Sequence, residues 1–136
     1  MLKLIVGVKG TGKTKTLIAM VNEAIEASSG NVVCLEKGTK LRFDVKYQAR
    51  LIDTKEYFVS DAEALYGFVA GILASNHDVT DLFIDSALKI CQNDAETFDK
   101  FLDAVDALLK DREVNLVITS SLAPEEATEK VLSYVK

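Results

Sequence analysis

Two glycines, a lysine and a threonine near the start of the chain have types and a spacing that suit phosphate binding. They form the pattern Gly7-x-x-x-x-Gly12-Lys13-Thr14, which follows an apolar run at 2–7 and precedes a helical pattern. Glycines let the backbone wrap closely around a bulky anion, and successive amide N–H groups then point into one concavity. We expect Lys13 to reach the outer phosphates of a nucleotide and the Thr14 hydroxyl to bind Mg²⁺.

The loop between the predicted strand and helix supplies most candidate nucleotide-binding residues. Its backbone amides would cradle the phosphates, and the positive end of the following helix dipole would face them. Lys9 and Lys15 add charge beside the phosphates, and solvation at the surface is the alternative role for both. The candidate set is Gly7, Val8, Lys9, Gly10, Thr11, Gly12, Lys13, Thr14 and Lys15, with Ser120 added from a later strand.

An aspartate at the end of a later apolar strand is the candidate second contact for the metal. Leu82-Phe83-Ile84 has the pattern of a buried strand, and Asp85 follows it directly. Mg²⁺ prefers oxygen ligands and keeps several waters, so the protein need supply only one or two groups. Thr14 and Asp85 are these groups, and capping of the next turn is the alternative role for Asp85.

Hydrophobic periodicity predicts an α/β fold of three layers, α/β/α, with a mainly parallel sheet. A strand, a helix and a strand within about 35 residues predict parallel pairing in one sheet. Apolar and polar residues alternate from Leu41 to Lys46, which predicts a small antiparallel β-hairpin inserted near 40–53. The other strands are predicted at 2–7, 31–36, 79–85 and 114–119, and the helices at 13–28, 60–74, 93–110 and after Pro124.

The composition predicts one domain, residues 1–136, with a substantial core. Hydrophobic residues make up 49% of the chain, and the net charge of −5 argues against non-specific nucleic-acid binding. Cys34 and Cys91 are isolated, which predicts buried or reduced thiols rather than a disulfide framework or a structural zinc site. No apolar stretch approaches membrane-spanning length, so we expect a cytoplasmic protein without a membrane partner.

In these two motifs and their order, the chain resembles the P-loop NTPase superfamily and its small bacterial ATPase-like members. The resemblance covers residues 1–121, with Gly7–Thr14 as Walker A and Leu82–Asp85 as Walker B. It implies helices on both faces of the sheet and a nucleotide at the carboxyl ends of the strands. The Asn-Lys-x-Asp motif of GTPases is absent from the sequence, which favours the RecA-like and AAA-type division. In that division strand 114–119 would lie between the two motif strands, with Thr119, Ser120 and Ser121 placed to sense the γ-phosphate.

Hydrolysis needs a group that orients or deprotonates water. Many ATPases of this division carry glutamate directly after the Walker B aspartate, where this chain has Ser86. In another RecA-like arrangement the glutamate ends the strand after the phosphate-loop helix, which implies Glu36 as the water-activating base. Lys13, Glu36 and Asp85 form the candidate catalytic set.

The sequence thus predicts an ATP-binding protein with slow Mg²⁺-dependent hydrolysis, with ATP favoured over GTP by elimination. A nucleotide-gated binding or scaffold protein with little catalysis is the first alternative, and Ser86 favours it. A small-molecule kinase is the second, and the scarcity of arginines argues against it. A protein partner or a homo-oligomer also remains open.

Overall fold

Five parallel strands form the sheet of this protein in a computed structural model, which describes residues 1–135. All neighbouring strands run parallel, in the order β1-β5-β4-β2-β3. The α/β class and the parallel sheet confirm the sequence prediction. The strands are β1 (Leu2–Gly7), β2 (Asn31–Glu36), β3 (Arg50–Asp53), β4 (Val79–Ile84) and β5 (Asn115–Ser121).

Helices connect the strands and begin at recognisable caps. The Asp61 carboxylate caps α2 by accepting the backbone N–H of Ala64 at 2.7 Å. The helix predicted after Pro124 is a short 3₁₀ turn followed by α5. Within residues 1–135, none of the helices has the length and apolarity needed to cross a membrane. The helices are α1 (Lys13–Ala27), α2 (Ala62–Ser75), α3 (Ala87–Ile90), α4 (Ala95–Leu109) and α5 (Glu129–Tyr134).

Alternate residues of the central strands face two separate cores, because successive side chains of a strand point to opposite faces. On β4, Leu82 and Ile84 belong to the core that contains the buried residues of α2, α3, α4 and α5. Phe83, between them, belongs to the smaller core that contains Leu17 and Val21 of α1. Helices therefore cover both faces of the sheet, in agreement with the predicted three layers.

The strand order brings distant parts of the chain together at the carboxyl ends of the strands. β5 lies between β1 and β4, which is the position that the family resemblance implied for this strand. β1 and β2 lie parallel in one sheet as predicted, but β5 and β4 separate them, so β1 and β2 are not hydrogen-bonded neighbours. The carboxyl ends of parallel strands share one edge, so the residues after β1, β5, β4 and β2 meet there.

The predicted antiparallel hairpin near 40–53 is wrong. Lys40–Phe43 is a 3₁₀ helix, and the following segment ends in β3. β3 is an edge strand that pairs with β2 in parallel, with Leu51 opposite Cys34. The chain from 37 to 49 is therefore a crossover between two parallel strands.

The alternation that suggested the hairpin does not describe what is buried. Phe43 is one of the apolar residues in this alternation, yet 84% of it is exposed. Leu41, Val45 and Ala49 are buried against the α1 side of the sheet, and their spacing of four residues fits turns rather than a strand. The Asn22 side chain on α1 also holds this segment, since its amide donates to the carbonyl oxygen of Asp44 at 3.0 Å.

The packing of α4 yields a stability prediction. Phe98 is 1% exposed and stacks on Phe101 with ring centroids 6.3 Å apart. We expect Phe98→Ala to lower the free energy of unfolding by about 3–5 kcal/mol, because it removes buried apolar surface and leaves a cavity. Urea denaturation measures this, with the exposed Phe43→Ala as control at about 0.5 kcal/mol or less. Equal losses in the two variants would contradict the core described above.

Candidate functional site

The loop between β1 and α1 turns sharply and folds back on itself. Gly10 and Gly12 have φ of 88° and 84°, in the left-handed region that side chains disfavour. The Thr11 hydroxyl and the Lys13 ammonium each donate to the carbonyl oxygen of Val8 at 2.8 Å. No side chain caps the start of α1, which immediately follows Gly12, so the first-turn N–H groups of a 15-residue helix face this loop. The loop has the form of an anion-binding site.

The carboxylate of Asp85 lies at the centre of the strand ends. It is only 7% exposed, and a buried charge needs hydrogen bonds in place of water. The Thr119 hydroxyl donates to its Oδ1 at 2.7 Å, and the Thr14 hydroxyl lies 3.2 and 3.3 Å from its two oxygens. The backbone N–H of Asp85 donates to the carbonyl oxygen of Leu35 at 2.9 Å, which ties the end of β4 to β2. The predicted metal pair, Thr14 and Asp85, is therefore in direct contact.

This pair fits a hydrated Mg²⁺ ion. One hydroxyl and one carboxylate are the kind of oxygen ligands that Mg²⁺ takes from proteins, with waters and phosphate oxygens completing the octahedron. The contact between Thr14 and Asp85 means that an ion would meet both groups at one point. Within residues 1–135 no group of three or more His, Cys, Asp and Glu side chains is arranged to hold a metal.

Ser86, which directly follows Asp85, has a left-handed backbone. Its φ is 57°, which is uncommon for a residue with a side chain. Its N–H donates to the Thr119 hydroxyl at 2.9 Å, and that hydroxyl in turn donates to Asp85. Thr119 thus holds both the carboxylate and the turn that leads into α3.

Glu36 lies in the same cleft as Asp85, but its carboxylate is already engaged. It is 4% exposed at the end of β2. Its Oε1 accepts the backbone N–H of Lys40 at 2.8 Å, and its Oε2 accepts that of Leu41 at 3.2 Å. The structure therefore gives Glu36 a definite contact that the sequence did not predict, since it anchors the turn at 37–41.

Cys34 is buried behind these two carboxylates, as the sequence predicted. Burial first, and then the charges of Asp85 and Glu36, raise the pKa of the Cys34 thiol to about 12. The thiolate is the form that attacks electrophiles and binds metals, so the raised pKa disfavours both reactions at Cys34.

A cleft of about 500 Å³ covers the carboxyl ends of the strands, and its lining is strongly basic. Two carboxylates, Asp85 and Glu36, also line it. None of the cleft lysines forms an ion pair with a carboxylate within residues 1–135. In a protein of net charge −5, this concentration of positive charge attracts anions to one place. In the described part of the chain, six lysines line the cleft: Lys9, Lys13, Lys15, Lys37, Lys40 and Lys89.

The structure brings eight of the twelve predicted site residues to this cleft, whereas Gly7, Val8 and Thr11 do not line it and Ser120 faces elsewhere. Ser120 is fully buried, and its hydroxyl has no hydrogen-bond partner among the described residues. Because side chains alternate along β5, Thr119 and Ser121 line the cleft while Ser120 points to the opposite face. The predicted residues that line the cleft are Lys9, Gly10, Gly12, Lys13, Thr14, Lys15, Glu36 and Asp85.

Sequence reasoning missed three of the six cleft lysines. Lys37 directly follows Glu36 at the end of β2, and the rule that parallel strands share a carboxyl edge would have found it. Lys40 was assigned to the hairpin that does not exist. Lys89 lies on α3, a single helical turn too short to give a periodic signal.

No protein-family model matches this chain, and no curated protein matches it either.

The contacts of Glu36 yield a prediction that separates its structural role from a chemical one. Glu36→Ala leaves two N–H groups without acceptors, so we expect the free energy of unfolding to fall by about 1–3 kcal/mol. Glu36→Gln keeps one acceptor oxygen and should lose less. Urea denaturation measures both, and the exposed Glu23→Ala on α1 is the control. A Glu36→Ala variant as stable as Glu23→Ala would show that Glu36 does not anchor the turn.

Proposed function

We propose that this chain is a P-loop-type protein that binds Mg²⁺·ATP in the basic cleft and hydrolyses it slowly. The observation that carries the proposal is the contact between Thr14, on the first turn after the glycine-rich loop, and the buried carboxylate of Asp85. Residues 71 positions apart in the sequence supply the two groups that a nucleotide-bound Mg²⁺ requires.

Each part of the loop has a defined role in this proposal. The N–H groups around Gly10 and Gly12 and the first turn of α1 would bind phosphate oxygens. Lys13 would exchange the carbonyl oxygen of Val8 for the outer phosphates, which is a short movement of a flexible side chain. A bound Mg²⁺ would neutralise charge on the β- and γ-phosphates. Thr119 would keep the Asp85 carboxylate oriented.

Slow turnover follows from the groups that surround the proposed γ-phosphate position. Glu36 is the candidate base, and it must activate water while both of its oxygens accept backbone N–H groups. Ser86 directly follows Asp85, where many ATPases of this division carry a glutamate, so this position supplies no carboxylate to activate water. Among residues 1–135, no arginine lines the cleft to stabilise transition-state charge, although six lysines do. The adenine base is proposed because the guanine motif is absent from the sequence.

A nucleotide-gated binding protein is the second candidate, and the anchoring role of Glu36 favours it. The turn that Glu36 holds leads into a segment with two prominently exposed rings, Phe43 at 84% and Tyr47 at 91%. A shift of Glu36 toward the nucleotide would free the turn at 37–41 that leads into this segment. Phosphate release from ATP, measured with and without Mg²⁺ beside a binding titration, separates the two candidates. ATP binding without phosphate release favours gating, provided that Glu36→Gln also binds ATP without releasing phosphate.

We expect Lys13→Ala to weaken nucleotide binding by tenfold or more, because it removes a charge-assisted contact worth about 1.5–3 kcal/mol. The fold should persist, since the Lys13 ammonium contacts only a loop carbonyl. Fluorescent-nucleotide titration measures binding, circular dichroism checks the fold, and the exposed Lys110→Ala is the control. A collapse of the circular dichroism signal would instead assign Lys13 a structural role.

Asp85→Asn tests the metal site. Asparagine keeps an acceptor for the Thr119 hydroxyl but loses the negative charge. We expect it to weaken nucleotide binding in the presence of Mg²⁺ and to change binding in EDTA little, or to strengthen it, because a charge that repels phosphate is removed. Nucleotide titrations with Mg²⁺ and with EDTA measure the difference. Equal weakening under both conditions would remove Asp85 from the metal site.

A further inference from the structure

We propose that Lys37, Lys40 and Lys89 form a second anion subsite in the cleft, which binds the phosphate group of a small second ligand. The inference rests on the proposed function, because it assigns the phosphates of the nucleotide to the loop at 7–14. Three observations carry it: the rigid mounting of these lysines, their position relative to that loop, and the absence of ion-pair partners for them within residues 1–135.

The turn that carries Lys37 and Lys40 is held by two carboxylates. Glu36 accepts the backbone N–H groups of Lys40 and Leu41, as described above. On the other side, Oδ1 of Asp53 accepts the N–H of Gly38 at 2.8 Å. Gly38 has a φ of 118°, which a residue with a side chain rarely adopts. The two lysines therefore extend from a fixed backbone, and the carboxylates that fix it are occupied by N–H groups rather than by ammonium groups.

The facing wall is α3 and the loop after it. Three of the four α3 residues are buried in the core, and Lys89 is the exposed one, so its side chain faces the cleft. Asn93 also lines the cleft, and its backbone N–H donates to the carbonyl oxygen of Leu88 at 2.8 Å. Its side-chain amide adds a neutral donor beside Lys89.

Lys37 lies on the far side of the cleft from the phosphate loop. The loop begins at the end of β1 and Lys37 at the end of β2, and β5 and β4 stand between them. Three strand spacings of ~4.8 Å separate the two ends by about 14 Å. The metal pair at Thr14 and Asp85 marks where the outer phosphates of the nucleotide would end. Lys37 lies one strand beyond Asp85, which leaves it free for a different anion.

The chemistry of the subsite favours phosphate on a small molecule. Lysine binds phosphate as a point charge, and three ammonium groups suit the two negative charges of a phosphate monoester better than the single charge of a carboxylate. The cleft is concave, with a volume of about 500 Å³, and the protein as a whole carries a charge of −5, which disfavours a long polyanion such as nucleic acid.

Calorimetric titration of the nucleotide-loaded protein tests the subsite. The protein is first saturated with Mg²⁺ and the β,γ-imido analogue of ATP, so that the loop is filled. Inorganic phosphate and glycerol 3-phosphate, as a small monoester, are then titrated in separate experiments. We expect both to bind, with the monoester bound at least as tightly as inorganic phosphate.

The matched variants locate this second binding event. Lys37→Ala/Lys89→Ala removes one ammonium from each wall and should weaken the phosphate probes by about tenfold while leaving affinity for the ATP analogue within about twofold. Lys55→Ala/Lys110→Ala removes the same charge outside the cleft and should change neither. Lys13→Ala should weaken nucleotide binding by tenfold or more and still bind inorganic phosphate.

Three results would overturn the subsite. Loaded protein that binds neither probe has no second anion site. If Lys37→Ala/Lys89→Ala lowers the affinity for the ATP analogue by tenfold, these lysines bind the nucleotide itself. The third result uses a single-stranded oligonucleotide without terminal phosphates. If it binds more tightly than glycerol 3-phosphate and its binding depends on the same lysines, the site binds a nucleic-acid backbone. If no nucleotide binds, the proposed function fails by itself. The subsite is still supported in that case if Lys37→Ala/Lys89→Ala weakens phosphate binding and Lys13→Ala does not.

Discussion

The burial of one carboxylate, that of Asp85, determines how the site is assembled. A charge with so little exposure must be hydrogen-bonded, and the available donors come from two separate elements. Thr119 brings β5 to it, and Thr14 brings the start of α1. The glycine-rich loop is fixed at one end by β1 and at the other by α1, so its position over the strand ends follows from these contacts. A cation at this point would join the same groups and add its charge to the lysines around it.

The parallel sheet makes this assembly possible. Every strand ends at the same edge, so short segments that follow β1, β2, β4 and β5 each contribute side chains to one cleft. The carboxylates and the lysines in that cleft do not neutralise one another. Asp85 takes hydroxyl donors and Glu36 takes backbone N–H groups, which leaves the ammonium groups available to bound anions. An acidic protein thereby keeps a local concentration of positive charge.

Sequence reasoning was reliable where one physical signal dominated. The apolar runs that became β1, β2 and β4 are nearly continuous, and the glycine-rich pattern after β1 leaves few alternatives for the loop. The segment 40–53 misled because three alternating residues resemble a strand, while burial follows Leu41, Val45 and Ala49. Only the register of β5 decides that Thr119 faces the cleft and Ser120 does not, and this register depends on pairing with β1 and β4. The contacts of Glu36 depend on the turn at 37–41, which no local pattern predicted.

A crystal structure of the protein with Mg²⁺ and the β,γ-imido analogue of ATP is the most direct measurement of the central claim. We predict that the loop at 7–14 wraps the phosphates and that Mg²⁺ bonds to the Thr14 hydroxyl at about 2.0–2.1 Å. We also predict that Asp85 lies beside the ion, bonded directly or through a water. A nucleotide bound away from this loop, or a metal ion that contacts neither Thr14 nor Asp85, would contradict it.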